Sequence, residues 1–125
     1  MDWIKATADC SVENIWVTLR EQIKSDFSHW EELKLAKRRR DVSLNRLEPQ
    51  ALMVTKECVD AESDWARVGV EGGAIVISQL GTSGLVDKLL LRPSFTRSED
   101  CRLRYNEREM ELWEVSRMFL ERFLF

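Results

Sequence analysis

The chain has 125 residues, 44% of them hydrophobic and 33% charged, with nineteen basic and twenty-two acidic side chains for a formal net charge of −3. That length fits one domain able to bury about two-thirds of its unfolded surface, and the composition excludes a disordered or low-complexity chain. The slight acidity gives no global attraction to phosphate or anionic lipid, so nucleic-acid and membrane-surface roles start disfavoured.

The start, Met1 to Lys5, has the acidic Asp2 and no long apolar run, and no stretch approaches the roughly 18 apolar residues of a bilayer span. Nothing is expected to be cleaved. Trp3 to Ala8 is a candidate first strand. Ser11 then caps a long amphipathic helix in which Val12, Ile15, Trp16, Leu19, Ile23, Phe27, Trp30 and Leu33 recur at three- and four-residue steps. Trp16 and Trp30 share its inward face, with Ser25-Asp26 as a candidate break.

Beyond Arg40 the apolar period changes to two. Val42 and Leu44 alternate with polar residues, Glu48-Pro49-Gln50 turns the chain, and Leu52 to Thr55 returns as the second arm of a hairpin. A second hairpin joins Trp65–Val70 to Ala74–Leu80 through Gly72-Gly73. Residues 81–84 read as a loop. Leu85 to Leu91 is too short and too uniformly apolar for period to distinguish strand from helix, and Pro93 is expected to end it. Leu103 and Tyr105 mark a last strand. Asn106 and Glu109 carry cap and N3 spacing for the closing helix, with a further short strand at Met110–Leu112 as the rival reading. That helix places Leu112, Val115, Phe119 and Phe123 on one stripe and extends its apolar arc with Trp113, Met118, Leu120 and Leu124.

The expected fold is therefore one α+β domain over residues 1–125. It has a long N-terminal amphipathic helix, an antiparallel meander of about five to six strands, and a C-terminal helix packed on the sheet.

Catalytic chemistry is poorly represented. His29 is the single histidine, and neither a phosphate-loop nor a dinucleotide-binding glycine pattern occurs. Cys10, Cys58 and Cys101 are odd in number and widely spaced, lacking the close pairs of zinc sites and the even framework of small secreted scaffolds. They read as small buried hydrophobes in a reducing, cytoplasmic setting. Glu107, Glu109, Glu111 and Glu114 suit the positive end of a helix better than paired-carboxylate catalysis. The expectation is no enzyme, no metal and no cofactor.

Two features suggest binding. Lys37, Arg38, Arg39 and Arg40 form the one dense basic run, which helix-end electrostatics explains and which is also a candidate phosphate-binding patch. Arg46, Arg92, Arg97, Arg102, Arg104 and Arg108 would extend it if the fold gathers them. Five tryptophans are many for this length; Trp3 and Trp113 are the candidates for exposed anchors.

The sequence thus points to a protein-interaction module binding a protein partner or a second copy, with Trp113, Met118, Phe119, Arg117 and Trp3 as candidate contact residues. In size, acidity and helix–sheet–helix order it is similar in outline to small secretion-effector chaperones and to bacterial immunity proteins. Those resemblances imply a homodimer or one tight partner respectively. The alternatives are a ligand or lipid cup walled by Leu52, Val54, Trp65, Val68 and Ile77, and a nucleic-acid adaptor using Lys37 to Arg40.

Overall fold

The computed structural model describes residues 3–33, 42–48, 50–57, 64–80, 85–95 and 101–125. Helices α1 (Trp3–Asp9) and α2 (Val12–Glu32) precede seven strands: β1 (Val42–Glu48), β2 (Ala51–Lys56), β3 (Asp64–Glu71), β4 (Ala74–Leu80), β5 (Val86–Phe95), β6 (Cys101–Tyr105) and β7 (Arg108–Met110). Helix α3 (Leu112–Leu124) closes the fold. Every strand pairs antiparallel with its sequence neighbour, giving one meander with strand order β1 to β7.

The α+β architecture agrees with the sequence expectation, with more strands than expected and several local corrections. Trp3–Asp9 is helical rather than a first strand. Helix α2 runs unbroken through Ser25-Asp26, because Asp26 has partners that hold it in place. Gln22 Nε2 donates to both of its carboxylate oxygens at 2.9 and 3.0 Å, and the buried Ser116 hydroxyl of α3 donates to Oδ2 at 2.7 Å. Ser11 caps α2 as its position suggests, its Oγ accepting from the Asn14 amide at 3.3 Å.

The Leu85–Leu91 ambiguity resolves as strand, and Pro93 lies inside β5 instead of ending it. From Val86 to Leu91 the strand pairs with β4, whereas Arg92 to Phe95 pair with β6. Pro93 therefore sits beyond the last β4 partner, where no ladder bond on that side needs the amide it lacks. The closing helix also starts later than Asn106. Asn106 has φ 55°, and with Glu107 it forms the two-residue connection between Tyr105 and Arg108; a short strand does precede the helix, but β7 shares only Met110 with the rival Met110–Leu112, since Leu112 already opens α3.

Two glycine positions shape the sheet. Gly72 and Gly73, with φ of 56° and 74°, supply the left-handed conformations of a two-residue hairpin between Glu71 and Ala74. At Gly69 a Cβ would stand 2.5 Å from the Gln50 carbonyl oxygen, the atom that accepts the Val70 amide at 3.0 Å. Glycine is what permits β2 and β3 to approach there.

One sheet face carries Leu52, Val54, Ala66, Val68, Ile75, Ile77, Leu91, Leu103 and Met110, which join Leu19, Ile23 and Phe27 of α2 and Val115, Phe119 and Phe123 of α3 in one buried cluster. Trp65 is offset by one residue from Ala66, so it points to the other face with its cross-strand partner Thr55. The set expected to wall a ligand cup is thus split between two faces. Arg122 ties the end of α3 to the sheet, donating to Asp64 Oδ1 at 2.9 Å and to the Trp65 carbonyl at 3.2 Å, with its guanidinium 4.6 Å from the Phe123 ring centre.

Candidate interaction surface

The inward and outward sides of α3 differ sharply. Val115, Ser116, Phe119 and Phe123 are at most 1% exposed, while Trp113 is 52% and Phe125 71% exposed. Between these two aromatic residues Arg117 and Glu121 stand on the surface, joined by hydrogen bonds of 3.0 and 3.3 Å. The spacing of four residues lines up Trp113, Arg117, Glu121 and Phe125 as an outward ridge.

Trp113 is exposed but anchored. Its indole N–H donates to Glu111 Oε2 at 2.5 Å, and Arg102 of β6 donates to Glu111 Oε1 at 2.5 Å. These contacts, the Arg102 hydrogen bond foremost and then that of Trp113, hold the Glu111 carboxyl below the usual carboxylate range. Glu111 is the N-cap of α3, and its backbone amide donates to the side chain of Glu114 at 3.2 Å. Glu114 in turn pairs with Arg108 of β7 at 2.9 Å. The start of α3 is thereby stitched to two strands, and the tryptophan is placed by that network.

Grooves flank the ridge. On one side, a depression of about 360 Å³ between α2 and α3 is lined by Gln22, Asp26, Trp113, Ser116, Leu120 and Phe125, with Arg117 and Glu121 on its rim. On the other, about 280 Å³ lies among Arg108, Met110, Trp113, Glu114 and Met118.

Of the contact residues read from sequence, Trp113, Arg117 and Met118 come together here. Phe119 does not: at 1% exposure it belongs to the core, because the core stripe of α3 passes through it. The Trp3 side chain, Cys58 and the basic run Lys37 to Arg40 lie outside the described residues. Arg97 also lies outside the described residues, and the described arginines do not gather into one patch. Arg102 and Arg108 are committed to Glu111 and Glu114, Arg46 lies on β1, and only Arg92 and Arg104 face each other, across β5 and β6 beside a depression of about 390 Å³.

The cysteines require a correction. Cys10 and Cys101 form a disulfide, with Cα atoms 5.4 Å apart and a sequence separation of 91. Spacing along the chain cannot reveal such a pair; the meander brings the start of β6 back to the α1–α2 junction. Beside it opens a groove of about 710 Å³ lined by Asp9, Asn14, Ile15, Thr18, Cys101, Arg102, Leu103, Met110, Glu111 and Leu112. Among the described residues no group of three or more His, Cys, Asp or Glu side chains is placed to hold a metal ion, and no helix is long and apolar enough to cross a membrane. His29 is an exposed residue of α2.

Sequence reasoning missed the anchoring role of Arg102 and the partners of Asp26, whereas its reading of Glu111 and Glu114 as carboxylates at the start of the closing helix agrees with their places as N-cap and N3 of α3. For Glu111 a signal was present: Glu111 and Glu114 have the three-residue cap spacing immediately before an apolar run, in competition with the same spacing at Asn106 and Glu109. No known protein family, curated protein or solved structure matches the chain.

Proposed function

We propose that this chain is a non-enzymatic protein-interaction module whose docking surface is the outward ridge of α3. The observation that carries this reading is Trp113: a large aromatic side chain left half in solvent while its indole N–H is fixed by Glu111 and, through it, Arg102. A rigid, amphipathic aromatic residue between two grooves has the properties of a binding hot spot, since little side-chain entropy remains to be lost when a partner covers it.

The cup reading has less behind it. Leu52, Val54, Val68 and Ile77 belong to the buried cluster beneath α2 and α3, and Trp65 points away from them. A cytoplasmic location is the expectation from cysteine spacing. The Cys10–Cys101 bond weighs against it, because disulfides persist in oxidising compartments and are rare in the cytosol.

The test is native mass spectrometry of the protein purified from its own host beside the Trp113→Ala variant. A stoichiometric protein complex or dimer, lost or weakened in a variant with an unchanged circular dichroism spectrum, is expected. A complex indifferent to the substitution, or a monomer carrying a small ligand, overturns the reading.

A further inference from the structure

Resting on that reading, we infer that the partner on the α3 ridge is a second copy of this chain, packed antiparallel about a two-fold axis that crosses the outward ridge between Arg117 and Glu121, at the level of position 119 along the helix. An isologous contact must be self-complementary, each residue meeting the one on the other side of the axis. Position 119 lies midway between Trp113 and Phe125 and midway between Arg117 and Glu121. The same operation therefore sets each Trp113 against Phe125 of the second copy and each Arg117 against its Glu121. Aromatic residue meets aromatic residue, cation meets anion, and no charge on the ridge meets its like.

The local geometry suits this arrangement. All four positions are on the surface: Trp113 is 52% and Phe125 71% exposed, and the Arg117 and Glu121 side chains are 65% and 53% exposed. Residues four apart form ridges inclined to the helix axis, and two helices crossing at about −50° bring such ridges alongside each other. Trp113 and Phe125 stand about 18 Å apart along the axis at 1.5 Å per residue, so both ends of the contact are aromatic. The groove of about 360 Å³ between α2 and α3, with Leu120 and Phe125 in its lining, is positioned to receive the indole of the second copy. The Arg117–Glu121 pair already formed within one chain becomes half of a closed four-charge ring. A contact built chiefly from one helix of 13 residues is small for a stable dimer, so the dissociation constant is expected to be on the order of micromolar.

Light scattering on the eluting protein across a concentration series tests this with two charge reversals. The wild-type mass is expected to rise from one chain towards two. Arg117→Glu leaves two anions and Glu121→Arg two cations on the ridge, so each variant alone is expected to dimerise at least about tenfold more weakly. Mixed in equal amounts, they are expected to recover wild-type association as a heterodimer. There the carboxylate introduced at position 117 of one chain meets the guanidinium introduced at position 121 of the other, and the native Arg117 of the second chain meets the native Glu121 of the first. A helix merely weakened by loss of its internal ion pair would not be rescued by mixing. Circular dichroism of each variant confirms that it is folded. A wild-type monomer at every concentration, a dimer indifferent to both reversals, or a mixture no tighter than its components overturns the second copy as partner. In the first case, a complex with a different protein that Trp113→Ala abolishes would keep the α3 surface while removing self-association. Such a complex unaffected by Trp113→Ala would remove both.

Discussion

Trp113 and Phe119 lie less than two turns apart on the same helix, and the sequence offers both as contact candidates although only Phe119 falls on the core stripe. In the fold, Phe119 is enclosed by α2 and the sheet, while Trp113 is held out to solvent by a carboxylate. One side of α3 is buried in the core and the other stands in solvent. The two substitutions should therefore separate cleanly. Phe119→Ala is expected to cost about 3–5 kcal/mol of stability, by lost transfer energy and a cavity, measured as a lower midpoint in guanidinium unfolding. Trp113→Ala should stay within about 1 kcal/mol of wild type while weakening association. Similar stability losses in the two would break the distinction.

A second region sharpens it. Cys101 precedes Arg102, so the disulfide fixes the strand whose arginine holds Glu111. Closing a loop of 91 residues restricts the unfolded chain, and the Cys10→Ser/Cys101→Ser double variant is expected to lose about 2–4 kcal/mol. If the disulfide acts chiefly on the unfolded state, self-association of the folded variant should match wild type under mild conditions. A parallel loss of association would mean that the outward ridge depends on the bond for its geometry.

Much of this molecule was legible because amphipathic period reports burial. The stripe from Val12 to Trp30, the hairpin at Gly72-Gly73 and the core stripe of α3 all follow from spacing and turn chemistry. Other features depended on partners distant in sequence. Asp26 resembles a helix breaker until Ser116, ninety residues away, is seen to donate to it. Pro93 resembles a terminator until β5 is seen to change partners just before it. The candidate site was half visible: exposure of Trp113 was a fair inference from an over-wide apolar arc, but its anchoring by Arg102 and Glu111 depends on where β6 lies.

The Ser116–Asp26 hydrogen bond sits at the boundary between the two sides of α3, with Ser116 fully buried and Asp26 half-buried in the groove beside the ridge. Ser116→Ala is expected to cost about 1 kcal/mol, since Gln22 still satisfies the Asp26 carboxylate. Asp26→Ala should cost more, because it strands a buried hydroxyl and removes the acceptor that both donors share. Denaturant midpoints of the two variants check the order; a larger effect from Ser116 would show that Gln22 does not hold the carboxylate by itself.

The smallest expected effect is electrostatic and confined to the outer side. Arg102 and Trp113 hold the Glu111 carboxyl below its ordinary range in the folded chain. Its ionised form therefore favours folding at every pH above that range. The contribution fades as pH falls through the ordinary carboxylate range and is gone below the lowered folded value. Glu111 is exposed, so the change in overall stability should be slight. The Trp113 environment should nevertheless report it, because protonation weakens the acceptor that fixes the indole. The fluorescence difference between wild type and Trp113→Phe is expected to change on acidification, with its midpoint below the usual carboxylate value, and to lose that transition in Glu111→Gln. A transition that persists in Glu111→Gln would assign it to another carboxylate and leave Trp113 without its proposed anchor.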